Sequence, residues 1–580
     1  MVAKRPVSKD RTQDADLVEG QTLRDSSRGS TLEALSQQSA GVYVTGRGTM
    51  LHGVASGASG GITIRGLGGS PNSQILVVED GVPDYQGIFG HPIPDAYVPF
   101  LIDEVLVIKG GDSVLYGTNA MGGVLVIRNR WRQEEGYELL NDAAYGSYQT
   151  LRESLAFLGR FGNWDLATAV HVLDTEGHRD GADGKLQVGH LAARFRVTPN
   201  LHLSLRSKVV HLAGGDPGPV SHPYEDHWFD VWRSTSSLAL DYRYKRLHLS
   251  ATTYLNAGIH RLYDGFLSRD FVGGGIVEAG LKLHRTLRLL LGAAAEHIDG
   301  HVEDRSTGEV SDVKGLTNLS FYNQLTWRPV RALTFVAATR ELYSTTYGLA
   351  FLYKAGARWN IYRGLYAHTR IVRNFRQPTI RELYLPYPTA NPDLKPEFSL
   401  NWDFTLGFIH KRIEVSCTGY RSYAQNLIKY FGAWPSTEVV NIDEIEVWGV
   451  SGRVALRKLG PMYVTITASW QHVGRYTRQN PEAKLNFEVG FKHKFGTHFI
   501  GGTVSGEWVH GLFMSNYERD PIDDAFFMDL TFRYRYTSAS RKFTVEPYLL
   551  LRNFLDRSYA YIAGYTMPGL NLLVGLKLGL

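Results

Sequence analysis

Hydrophobic and polar residues alternate with period two along most of this chain. In "NLLVGLKLGL" Leu572, Val574, Leu576, Leu578 and Leu580 fall on one face, and Asn571, Gly575, Lys577 and Gly579 on the other, with Leu573 the exception. Leu201, Leu203 and Leu205 alternate with His202, Ser204 and Arg206, and Leu247, Leu249 and Ala251 with His248, Ser250 and Thr252. Met462, Val464, Ile466, Ala468 and Trp470 do the same against Tyr463, Thr465, Thr467 and Ser469. One such segment fits a soluble sandwich or propeller as well as a membrane wall. Three features favour the wall. The pattern persists over about 450 residues, its polar partners include charges that a packed core could not hold unpaired, and Tyr and Trp recur near strand ends, where a membrane interface wants them. At about 20 residues per strand and connection this length gives roughly 22 strands, within the range of outer-membrane barrels. A barrel so wide needs something in its lumen.

The first 130 or so residues have a different pattern and could supply that filling. Ser30 with Glu33 three residues on predicts a capping box and one short helix, followed by strand-like Val42 to Thr45. "GITIRGLGG", "SQILVVEDGVP", "DEVLVIKGG" and "GGVLVIRNR" then predict four short strands between glycine turns. The result is a compact α+β domain of about 100 residues.

The glycines of "KGGDSVLYGTNAMGGVLVIRNR", Lys109 to Arg130, raise the question of a phosphate site. Gly122 and Gly123 are followed by Val124 and Leu125 where a phosphate loop needs Lys and Ser or Thr. The dinucleotide fingerprint needs a helix there, and Val124, Val126 and Ile127 are strand formers. These glycines therefore read as turns.

Composition agrees with a large β protein: 61 glycines, 32 tyrosines and 11 tryptophans in 580 residues. No run of 18 apolar residues occurs, which excludes spanning helices and leaves a spanning barrel open. A net charge of +5 from 62 basic and 57 acidic residues gives no case for nucleic acid. Cys417 stands alone, so there is no intrachain disulfide framework and no cysteine metal cluster. "MVAKRPVSKDRTQDADLVEG" lacks the apolar segment of a secretory signal, as expected of a mature or trimmed chain, a misassigned start, or a protein that stays inside.

The order of these two regions resembles a TonB-dependent outer-membrane receptor, and three stretches carry the resemblance. "ITIRGLGGSPNSQILVVEDGVP" with "IDEVLVIKGGDSVLYGTNAMGGVLVIRNR" resembles the family's plug core. "NFRQPTIRELYLPYPTANPDLKPE", Asn374 to Glu397, resembles its FRAP and NPNLKPE boxes. "LRNFLDRSYAYIAGYTMPGLNLLVGLKLGL" is similar to its last hairpin, and "VVNIDEIEVWGVSG" to an internal one. Lys109, Gly111, Gln377 and Leu580 depart from the family's usual Arg, Pro, Ala and terminal aromatic. The resemblance implies a 22-stranded antiparallel transmembrane β-barrel with an N-terminal α+β plug in its lumen, divided as a periplasmic tail 1–25, a plug 26–132 and a barrel 133–580. "VAKRP", Val2 to Pro6, faintly resembles a TonB box and equally suits an ordinary basic terminus.

The family's members catalyse no bond chemistry. The resemblance implies a monomer among outer-membrane lipids that binds a scarce solute outside the cell. The TonB–ExbB–ExbD complex, driven by the inner-membrane proton gradient, then pulls on the plug. Neither a cofactor nor a nucleic acid is implied. Arg65 and Lys109 would latch the plug to Glu397 and Asp403 of the barrel, or form plain lumen ion pairs. Asp84, Tyr85, Gln86, Phe89 and His91, in "PDYQGIFGHPIPDAY", mix aromatic faces with hydrogen-bonding groups and would meet the ligand, unless this is only a packed turn. From the loop Gly214 to Asp230, His222, Tyr224 and Trp228 would join them. His222, Glu225, Asp226 and His227 could ligate a metal, although exposed loops gather such residues without binding anything. Arg376 to Leu394 contains no histidine, which disfavours haem, and the short barrel favours a cobalamin-like compound or a small iron chelate. The reading from another class is a soluble, multi-domain β binding protein or glycan-acting enzyme, for which no paired-carboxylate site stands out.

Overall fold

A computed structural model describes residues 12–53, 60–69, 73–385, 390–431, 438–475, 478–540 and 543–580. The alternating region closes into an antiparallel ring of 22 strands, from Gly136–Gly146 to Asn571–Gly579, and these two pair with each other to seal the wall. A short strand, Glu309–Ser311, extends the wall beyond the ring. The period-two pattern decides which face is which. Leu572, Val574 and Leu576 point outward with about half their surface exposed, whereas Arg233, Asp270, Arg370 and Glu397 point inward and are buried. Trp164, Trp327 and Tyr362 sit on the outer face at strand ends near one rim, and Trp402, Trp448 and Trp470 lie on the outer face toward the other. This is an apolar band flanked by aromatic girdles, a surface that a soluble protein could not leave bare.

The two rims differ. At one, the ten connections between consecutive wall strands hold from two to six residues, as at Gly162–Asn163 and Asn200 with Pro199. At the other, three hold three residues and the rest are longer, reaching twenty residues between Arg376 and Glu397.

Inside the wall sits the glycine-rich region. Its main sheet has the order Ala15–Glu19, Ile102–Lys109, Gly123–Asn129, Ile75–Glu79, Val82–Pro83, and only Ile75–Glu79 with Gly123–Asn129 is parallel. A smaller sheet joins Val42–Val44, Ile62–Ile64 and Leu67–Gly68. Leu23, Leu32, Leu35, Ile62, Val77, Val105 and Leu125 form the core between the sheets and the helices Gly20–Asp25 and Thr31–Gln38.

All four predicted plug strands are present, and the helix begins at Thr31 with Ser30 as its N-cap, accepting from Leu32 N at 3.2 Å. Glu33 does not complete a capping box. Its carboxylate pairs with Arg28 (2.7 Å) and with Arg552 of the wall, because two guanidiniums outcompete one backbone amide. Ala15–Glu19, ahead of both helices, is an edge strand of the main sheet. Five residues with one polar end make too short a pattern to show it.

The glycine stretch that opened the phosphate question is a docking turn. Gly110 and Gly111 have φ of 72° and 74°, and a Cβ on Gly111 would strike the carbonyl oxygens of Ala120 and Met121. Those φ values leave the carbonyls of Lys109 and Gly111 free to accept from the guanidinium of Arg370 on the wall, at 2.6 and 2.9 Å. Lys354 closes on Asp112 beside them at 2.9 Å.

Candidate functional site

The apical loop of the plug, Tyr85 to His91, turns under the long-connection rim. Gln86 N donates to His91 O (3.0 Å) and Gly90 N to Gln86 O (2.7 Å), which closes the loop on itself. Gly87 N donates to Asp270 of the wall at 2.8 Å.

The predicted ligand residues divide. Asp84 is a tie to the wall: its carboxylate meets Lys208 at 2.5 Å and accepts from Asn256 Nδ2 at 2.8 Å. Burial raises its pKa, but Lys208, Arg233 and the Tyr97 hydroxyl together outweigh burial and hold the carboxyl below its ordinary value. Tyr85 is buried and lines a small cavity between plug and wall with Tyr254, Glu278, Glu296 and Arg340. Gln86 is buried, with Nε2 at 3.4 Å from His91 Nδ1. Phe89 is half-buried and faces outward from the loop, its ring 5.2 Å from that of His260 and 6.0 Å from that of Phe266. His91 lies beside it at 5.8 Å.

The loop from Gly214 to Asp230 packs on the plug and on the last long connection of the wall. Asp216 pairs with plug Arg47 at 2.6 Å, and Val220 N donates to Gly564 O at 2.8 Å. His222 is exposed, Tyr224 stacks on His227 at 4.5 Å, and Trp228 stands on the outer face of the wall, next to the buried Phe229. Among the described residues no three His, Cys, Asp or Glu side chains form a group that could hold a metal ion.

Arg65, Lys109, Glu397 and Asp403, expected to join plug and wall, are all buried and paired. Arg65 pairs with Asp14 of the plug's own N-terminal segment and reaches Asp403 of the wall only at 3.9 Å. Lys109 meets Asp14 at 3.5 Å and Asp16 at 3.0 Å, and neither wall carboxylate. Asp403 belongs to Arg370 (2.8 Å), and Glu397 to Arg376 (2.6 Å). Glu397 still touches the plug by accepting from Gln74 Nε2 at 3.0 Å.

Two residues that sequence reasoning missed complete the apical site. His52, on a plug loop held by Asp95 through its backbone amide (2.8 Å), stands 6.3 Å from His260 of the wall, ring to ring. All four ring nitrogens of this pair are buried without a hydrogen-bond partner. Burial, together with the other histidines and Arg47, drives the His52 pKa well down, so its imidazole is neutral. Each residue sits in an unremarkable stretch, and only the docking of plug into wall brings them together. Over the loop lies Arg381. The short helix Ile380–Tyr384 carries a full capping box between Thr379 and Glu382, which fixes its start, and Arg381 N donates to Ile88 O of the plug at 3.0 Å.

Comparison with known proteins agrees with this architecture. Residues 8–124 match the family model described as TonB-dependent Receptor Plug Domain, and residues 127–576 the one described as TonB dependent receptor-like, beta-barrel. The chain is 26% identical over 433 residues to the vitamin B12 transporter BtuB of Photobacterium profundum, covering 68% of this chain and 67% of that one. Among solved structures, the copper transporter OprC superposes with a TM-score of 0.80 at 14% identity, over 98% of both chains. The ferric enterobactin receptor PfeA of Pseudomonas aeruginosa gives 0.77 at 13%, over 99% of this chain and 98% of its own.

Proposed function

Because this chain belongs to the TonB-dependent receptor family, in plug and barrel alike, and so sits in the bacterial outer membrane as a transporter rather than an enzyme, we propose that it takes up a cobalamin-like compound or a small metal chelate with work supplied by TonB–ExbB–ExbD. The observation that carries the reading is the N-terminal strand. Among the described residues Ala15–Glu19 pairs on one side only, with Ile102–Lys109, so it can leave the sheet by breaking a single ladder. Asp14 beside it neutralises both Arg65 and Lys109. A pull from the short-turn rim would remove the strand together with this carboxylate and leave two buried cations short of a counter-charge, an arrangement that costs several kcal/mol per broken pair. Binding at the apical loop and work at this strand are joined through one small sheet. The segment Val2 to Pro6, considered above as a TonB contact, lies outside the described residues.

The test is accumulation of radiolabelled cyanocobalamin and of iron-55 chelates by cells that carry this chain as their sole such receptor. Uptake of one solute that stops on addition of a protonophore supports the reading. Uptake that continues with the gradient collapsed, or equals that of cells without the chain, sinks it.

A further inference from the structure

Most of the buried and half-buried cations around the apical site have carboxylates beside them; Arg340 donates instead to Ser320 Oγ at 2.8 Å and to Val114 O at 3.4 Å. Arg47 has Asp216, Arg233 has Asp270, Lys208 has Glu79 and Asp84, and Arg376 has Glu382 and Glu397. Arg381 is half-buried, and among the described residues no carboxylate lies within ion-pair distance of its guanidinium. Instead it stands between two rings, 5.6 Å from the centroid of Phe89 on the plug and 5.7 Å from that of Tyr430 on the wall. Ring faces hold a guanidinium in place but neutralise little of its charge, and arginine does not shed its proton. Beside it, His52 and His260 offer imidazole nitrogens with no partner among the described residues. The site thus combines a fixed, uncompensated positive charge, unused ring N–H groups and apolar walls from Phe89 and Phe266. A bare metal cation would be repelled by Arg381. An oxygen-bearing anion would find a charge-assisted partner and further donors.

We propose that Arg381 makes the apical site selective for a solute carrying anionic oxygens. This rests on the uptake reading and narrows its cargo to an anionic chelate or another oxyanion-bearing compound. The solute enters over Phe89, places its anionic group between Arg381 and the His52–His260 pair, and lays its apolar part on Phe89 and Phe266. The backbone bond from Arg381 to Ile88 couples that event to the plug.

Two ferric complexes with the same octahedral oxygen environment separate charge from shape: the trianionic tris-catecholate and the neutral tris-hydroxamate. Calorimetric titration of each into the detergent-folded full chain should show the trianion binding at least about tenfold more tightly, a difference of about 1.4 kcal/mol. Arg381→Gln should bring the two to parity by weakening the trianion alone, while Arg381→Lys should keep part of the preference. His260→Gln should weaken the trianion less than Arg381→Gln does. Heat-modifiable gel mobility confirms that each variant is folded. The proposal is overturned if the neutral complex binds as tightly as the trianion, if the trianion does not bind, or if Arg381→Gln keeps the preference. Gradient-dependent uptake of a neutral solute alongside any of those results would leave the uptake reading standing while this one falls.

Discussion

Asp14 carries more than its place near the start of the plug suggests. It is one carboxylate serving two buried cations, and although burial raises its pKa, Lys109 and Arg65 more than offset this and hold the carboxyl well below the usual range. Replacing it by Asn should cost the plug about 3–5 kcal/mol, the scale for a buried pair broken on one side. Faster amide exchange in Ile102–Lys109, with the barrel unchanged, would report that loss. Because the folded pKa is depressed, the stabilisation is fully present above about pH 4 and disappears as the pH falls below it. His91 works in the opposite chemical sense. Burial, helped by the Arg381 and Arg233 charges and opposed by the Pro92 carbonyl, pushes it down to about 4 from the ordinary 6.5. The unfolded imidazole therefore takes up a proton before the folded one does, and the apical loop should lose stability as the pH falls from about 6.5 toward 4. Exchange of the Gln86–His91 amides at pH 7 and pH 5 measures this, and His91→Gln should flatten the difference. Of these residues the sequence exposed His91 and Phe89, which share one short loop. It could not pair Lys109 with Asp16, 93 positions apart and joined by strand pairing within the plug, or His52 with His260, 208 positions apart and joined only by the docked plug.

At the scale of elements, the wall strands were legible because a lipid-facing surface forces strict alternation, and Leu572 to Leu580 shows it without help from neighbours. The plug strands were legible as β-branched runs between glycines. Ala15–Glu19 was not, since its pairing rather than its composition makes it a strand. That pairing yields a test. Glu19 stands directly opposite Glu104 in the ladder, and cysteines at both positions, in a Cys417→Ser background, should form a disulfide. Solute binding should be unchanged, uptake should drop at least about tenfold, and a reducing agent should restore it. If uptake survives the cross-link, the strand need not leave its sheet.

For the whole molecule, the plug is the only thing between the wall and an open pore in the functional reading above. Deleting residues 12–132 should leave a barrel that still shows heat-modifiable mobility and conducts steadily in a planar bilayer, whereas the full chain should conduct little. A full chain as conductive as the deletion would mean the plug does not close the lumen. The unequal rims have a further consequence. Each long connection carries dozens of peptide and side-chain dipoles, and dragging even a few of these through hydrocarbon costs several kcal/mol per unsatisfied group. A seated barrel therefore has no thermal route to turn over. Its sidedness is a memory of the moment of insertion, kept for the life of the molecule without any further input of energy.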